Sequence, residues 1–360
     1  MKKLTSVLLA LALLLLAGCG SATPASSAGT GTSSAASGKK QEINLFIWTE
    51  YMPQEVLDNF EAETGIHVNM KTFSSLADMY AMVKSAAPGT YDVIDVAGFY
   101  AKTMADEGLI SKLDQAQIPN MSNLFEAYMK RTEDPGNVYT IPYQGAGTFI
   151  CVNPALYSKP ISSYEDLFDP ALANSMVVIN DFRAIIGTIN LMLGFDFSET
   201  DPAKLEQTKE KLLSLKPNIK LLDSDSPKSA MLSGETSVGL IYNGEIAIAH
   251  EENPEIQIIY PAEGQYFGFD SLAITEASQN KEAAHKFLNY VLDAQTSKII
   301  SENFPYLNPN QAALELMDEE YKNNGTKNIP PEVIAKGYSP EDLDAATLDI
   351  YNDIWTEFTK

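Results

Sequence analysis

From residue 42 the chain alternates strand-like and helix-like segments, and that alternation limits the fold more than any other feature. "INLFIW" (43–48) is an apolar run of strand length. Pro53 to Thr64 follows a helical period, with Val56, Leu57 and Phe60 on one face and Gly65 as the stop. "IHVNMKTF" (66–73) is a second strand, and Ser75 with Asp78 reads as a capping box opening a helix that carries Met79, Met82 and Val83. "YDVIDVAG" (91–98) is a third strand, and "KTMADEG" (102–108) a short helix ended by Gly108. Three β–α units in succession predict the first half of a doubly wound α/β lobe. Its ligand edge lies at the strand C-termini, where Trp48 and "AGFY" (97–100) fall.

A second set of α/β units follows "YTIPYQGAGTFICVN" (139–153). "SMVVIND" (175–181) leads into the helix "FRAIIGTINLML", and "SVGLIYNG" (237–244) leads into "EIAIAHEE". After "GQYFGFDSLAIT" (264–275) a long helix starts near Asn280, with Ala284, Phe287, Leu288, Val291 and Leu292 inward. The last helix carries one stripe of Leu343, Thr347, Ile350, Tyr351, Ile354 and Phe358. The 319 residues from 42 onward suffice for two lobes rather than one.

Residues 1–19 do not belong to the fold. Lys2 and Lys3 precede an apolar run, Leu4 to Leu16, too short to span a bilayer comfortably. The run ends in "LAGC" (16–19), which resembles the bacterial lipobox and implies that Cys19 is lipidated and heads the mature chain. An ordinary signal peptide with a chance cysteine is the alternative. Residues 20–41, nearly all Ser, Ala, Gly and Thr, form a flexible tether. The chain is thus expected to be exported and held by lipid on the outer, or periplasmic, face of the cytoplasmic membrane. Cys151 is the other cysteine, so no disulfide forms within the mature chain, and its run "TFICVN" reads as buried. With Lys2, Lys3, Lys39 and Lys40 set aside, 21 basic against 48 acidic residues leave −27. That charge argues against nucleic acid and anionic lipid as partners and fits a cationic ligand, although acidity also serves solubility.

Enzyme signatures are lacking. His67, His250 and His285 lie far apart, and there is no G-x-S-x-G elbow, Walker-type loop or cysteine pair. "GAGTF" (145–149) lacks the strand–GxGxxG–helix context and reads as a close-packed turn or hinge. No metal or cofactor is expected.

"WTEYMP" (48–53), "YDVIDVAGFY", "IPYQGAGTFICVN", "INDFRAI" (179–185), "LIYNGE" (240–245), "FGFDSLAIT" (267–275) and "FPYLNPN" (304–310) occur in this order. With them residues 42–360 resemble the bacterial spermidine/putrescine-binding proteins, the solute receptors of ABC importers. The resemblance implies a type II periplasmic-binding-protein (Venus-flytrap) fold, its two lobes joined by hinge strands. One lobe is expected over 42–147 plus about 270–305, the other over 148–269 plus about 306–360. It also implies a monomer, a polyamine ligand and a transmembrane permease as partner. Aromatic walls suit such a ligand, because a protonated amine over an aromatic face gains roughly 0.5–2 kcal/mol. A charge-assisted hydrogen bond to a carboxylate adds roughly 1.5–3 kcal/mol.

Matched position by position, the resemblance marks Trp48 and Tyr51 as walls, with Thr49 and Glu50 between them. Asp181 and Asp270 match amine-binding acids, Tyr306 and Tyr242 further walls, Phe99 a contact after the third strand, and Glu341 a polar contact near the C-terminus. The residues themselves leave alternatives. Asp181 suits the N-cap of the helix from Phe182, Tyr51 a place under the first helix, and Asp270 a brace at the hinge. The chain departs from the pattern at Ala184, where an acid is usual, and at Gly268, where an aromatic wall is expected and Phe267 or Phe269 could compensate. Ala97 replaces a serine, and Phe99 stands where tyrosine or an acid is common. A slot short of one acid suits another organic cation or small polar solute as the rival ligand. A tyrosine-based ferric-ion receptor and an exported enzyme on the same scaffold are more distant rivals.

Overall fold

The computed structural model describes residues 41–129, 134–341 and 343–360, without the side chains of Phe99 and Ala127. The leader, Cys19 and the tether up to residue 40 lie outside the described residues. The strands are β1 (Glu42–Trp48), β2 (His67–Phe73), β3 (Val93–Ala97), β4 (Thr140–Val152), β5 (Met176–Val178), β6 (Ile219–Leu222), β7 (Val238–Tyr242), β8 (Gln257–Ile259), β9 (Gln265–Ile274) and β10 (Gly337–Tyr338). They run in the order β2–β1–β3–β9–β4–β7–β5–β6, with β8 beside β4 and β10 beside β9. β2, β1 and β3 are parallel, as are β7, β5 and β6. Antiparallel β9 and β4 join the two groups.

Local sequence explains the first group. Helix α1 (Gln54–Thr64) buries Val56, Leu57 and Phe60, and Gly65 ends it at φ 73°, a left-handed conformation that favours glycine. In α2 (Leu76–Ser85) only half of the expected capping box forms: Ser75 Oγ accepts from Asp78 N at 3.3 Å. Met79 and Val83 are buried there, whereas Met82 is exposed, since it lies about 100° round the helix from Val83. Helix α3 (Gly98–Asp106) starts at the very end of β3, a turn earlier than "KTMADEG" suggests.

The second group carries α4 (Phe182–Met192), α5 (Pro202–Leu215), α6 (Lys228–Leu232) and α7 (Asn243–Glu252). Helix α8 (Lys281–Val291) returns to the first group, where Phe287 packs edge-on to Phe60. The C-terminal helix Ala345–Thr359 buries Thr347, Tyr351, Ile354 and Phe358; Leu343 precedes it and Ile350 is half-buried.

Burial separates two lobes, each with its own core. One gathers Phe149–Val152, Met176–Ile179, α4 and Tyr351. The other lies on both faces of β1–β3, with Ile43, Leu45 and Phe60 on one side and Phe46, Ile94 and Met79 on the other. β4 and β9 run through both: Ile141 and Leu272 serve one core, Phe149 and Phe267 the other. "GAGTF" is therefore not a turn but the middle of β4. Its glycines make room, because a Cβ on Gly145 would stand 2.8 Å from Phe269 and one on Gly147 2.6 Å from Phe149. No helix of the described residues is long and apolar enough to cross a membrane.

Candidate ligand-binding site

Where β4 and β9 pass between the cores, strand ends from both lobes surround a slot. Trp48 and Thr49 close β1, Ala97 closes β3, Tyr242 closes β7, and Asp181 follows β5. From β9 come Tyr266, Gly268 and Asp270, which share one face because side chains alternate along a strand. Tyr51, Leu76, Ala146, Ser224, Asp225 and Tyr306 complete the lining. About 50 Å³ is open to the centres of water-sized groups, room for about three to five of them in file. The slot is narrow.

Of the three carboxylates that line it, Asp181, Asp225 and Asp270, the first and last are each held by a tyrosine. Tyr51 Oη donates to Asp270 Oδ2 at 2.9 Å, and Tyr242 Oη donates to Asp181 Oδ2 at 3.2 Å. Asp181 Oδ1 accepts from the amides of Arg183 and Ala184, so this residue caps α4 with one oxygen and turns the other toward the slot. Burial pushes the Asp270 carboxyl up to about 6, against the pull of the Tyr51 hydroxyl and helped by the negative charge of Asp181. Asp181 is likewise raised by burial, opposed by its amide and tyrosine donors. The indole N–H of Trp48 is buried without a hydrogen-bond partner among the described residues and adds only a weak downward pull on Asp270. Behind the slot, neither oxygen of fully buried Asp95 has a hydrogen-bond partner among the described residues. Burial and the Asp270 charge hold that carboxyl well above the usual carboxylate range.

Residues 55–328 match the family described as bacterial extracellular solute-binding protein. The chain belongs to that family. This solute-binding protein is 34% identical over 323 residues to the spermidine/putrescine-binding periplasmic protein of Escherichia coli (strain K12), covering 89% of itself and 92% of that chain. It is 30% identical over 325 residues to spermidine/putrescine-binding periplasmic protein 1 of Haemophilus influenzae, covering 90% of each. It superposes with a TM-score of 0.79 on the substrate-binding protein of a spermidine/putrescine ABC transporter from Streptococcus pneumoniae, at 28% identity over 89% of itself and 98% of that chain. The two-lobed α/β fold expected from the sequence is the fold observed.

Of the residues singled out in the sequence of this solute-binding protein, seven line the slot: Trp48, Thr49, Tyr51, Asp181, Tyr242, Asp270 and Tyr306. Glu50 does not; its carboxylate is paired with Lys228. Glu341 is exposed and uses its main chain, N–H to Ser198 and carbonyl from Arg183. The side chain of Phe99 lies outside the described residues. Gly268 is compensated by neither phenylalanine. Phe267 packs into a core and Phe269 against Tyr128, both on the other face of β9. Tyr266 fills the space instead, its hydroxyl 2.5 Å from where a Gly268 Cβ would stand. Counting by twos from Asp270 finds it. Ala184 is fully buried, so no acid stands there. Thr49 and Ser224 hydroxyls engage main chain at Phe73 O and Asn180 N, and no group of three or more metal-binding side chains occurs among the described residues.

Proposed function

We propose that this receptor captures a polyamine of the spermidine/putrescine class between its lobes and delivers it to an ABC permease, anchored meanwhile by lipid at Cys19. The observation that supports it most is the placement of two half-buried carboxylates, Asp270 and Asp181, among Trp48, Tyr51, Tyr242, Tyr266 and Tyr306. Ammonium groups pair with the carboxylates, and the methylene chain packs on the rings. Ligand first docks on one lobe, and closure about β4 and β9 buries it against the other. Buried, apolar Ala184 favours a second reading, a cation with one ammonium.

Thermal-shift titration of residues 41–360 with putrescine, spermidine, agmatine, choline and glycine betaine tests both. Ligand at a hundred times its Kd adds about 2.7 kcal/mol of stability. A shift with a di- or triamine is expected; silence with every polyamine and a shift with choline would replace the ligand. Lipidation is expected to move the full chain into a detergent phase, and Cys19→Ala to return it to the aqueous one.

A further inference from the structure

Beside the Tyr306 wall the chain supplies an ammonium of its own. Lys228 opens α6, three residues after slot-lining Asp225, and its Nζ lies 2.5 Å from Glu50 Oε2 and 3.2 Å from both oxygens of Glu245. Lys228 and Glu245 are buried, and Glu50 is half-exposed. Glu50 stands between slot residues Thr49 and Tyr51 at φ 51°, a left-handed backbone uncommon outside glycine. The neighbouring Gly244 touches Tyr306 so closely that a Cβ would come within 2.6 Å of the ring. The pair therefore ties the turn after β1 to α6 and α7 across one end of the slot.

We infer that Lys228 determines specificity: its ammonium occupies the place that Glu50 would otherwise offer to a ligand ammonium, so the slot takes a diamine and disfavours a triamine. This rests on the amine reading above. Asp270 and Asp181 remain inside the slot and Asp225 at its exposed rim, but a further ammonium near Glu50 meets a fixed like charge in a partly dry site. Displacing Lys228 would strand Glu245, a buried carboxylate with Lys228 as its ionic partner.

The test is calorimetric titration of putrescine and spermidine into the wild type, Lys228→Met/Glu245→Gln, and each with Glu50→Gln added. The double variant removes the buried pair at constant net charge and frees Glu50. The Kd ratio of spermidine to putrescine is expected to fall about tenfold, the value of one charge-assisted hydrogen bond, and Glu50→Gln in that background to abolish the gain. A pair that merely ties the lobes together would weaken both amines alike, and an unchanged ratio overturns the inference. Should the double variant fail to fold, Glu50→Gln alone leaves the Lys228 charge balanced by Glu245 only and must raise the ratio; no movement overturns it equally. If the wild type binds neither amine, the amine reading itself falls, and the inference with it.

Discussion

Lowering the pH from 7 to 5 is expected to weaken amine capture about tenfold. Asp270, with its carboxyl at about 6, is about nine-tenths ionised at pH 7 and about one-tenth at pH 5, while an alkylammonium stays charged throughout. An ammonium favours the carboxylate, so each ligand bound at pH 5 expels close to one proton. The empty receptor responds with the opposite sign. The folded carboxyl is raised above its unfolded value, so its burial penalises stability fully above about 6, and that penalty fades as the pH falls toward the unfolded value of 3.8. Tyr51, Tyr242, Tyr266 and Tyr306, which surround it, are all raised and stay neutral, and burial holds the Asp95 carboxyl well above the usual carboxylate range. Glu245, pushed up to about 7 by burial despite Lys228, titrates in the same window, so a control is required. Calorimetry with putrescine at pH 7, 6 and 5, in buffers of different ionisation heat, gives affinity and proton release together. Asp270→Asn should weaken binding at pH 7 by about 1–3 kcal/mol and flatten the profile. Affinity constant from pH 7 to 5, or a fall undiminished in Asp270→Asn, would refute Asp270 as the anchor.

Trp48→Ala should weaken binding by about 0.5–2 kcal/mol without steepening its salt dependence, because a wall acts through packing and cation–π contact; urea melts that show an unfolded variant would make Trp48 core instead. Asp95→Val removes a buried carboxyl without hydrogen-bond partners among the described residues and should stabilise the empty receptor by about 1–3 kcal/mol in the same melts; destabilisation would mean a partner exists. Gly147→Ala should cost about 1–3 kcal/mol, since the added Cβ runs into Phe149 and Phe267, and a neutral result would show that β4 has slack.

Local rules found only part of the site. Trp48 and Ala97 were legible because strand C-termini in parallel sheets meet the ligand edge, whereas Tyr51, Asp181, Tyr242, Asp270 and Tyr306 were marked by the family resemblance, and the cap that local sequence offered for Asp181 as an alternative forms beside its place in the slot. Tyr266 was missed because attention fell on position 268, although strand alternation puts 266, 268 and 270 on one face. "GAGTF" was read as a turn or a hinge; it lies in a strand that passes between the two cores, and the turn alternative fails because glycine signals a turn locally, while the rings it accommodates, Phe267 and Phe269, arrive from a distant strand. Lys228 and Glu50 are 178 residues apart and mark no period or motif, so only the fold brings them together. Asp95 lay within a strand buried on both faces, where nothing local reveals that its carboxyl lacks a partner among the described residues.

The passage of β9 through both cores has a consequence for synthesis and export. The sheet of β1–β3 lacks its neighbour until β9 exists, since Val93 pairs with Ile274, and most of the second core is made in between, though Tyr351, Ile354 and Phe358 reach it later still. A nascent chain stopped anywhere before residue 265 holds an open edge and an incomplete first core. Such late, non-local closure slows folding. In a polypeptide exported before it folds, such a delay keeps the chain pliable until the segment carrying β9 has emerged.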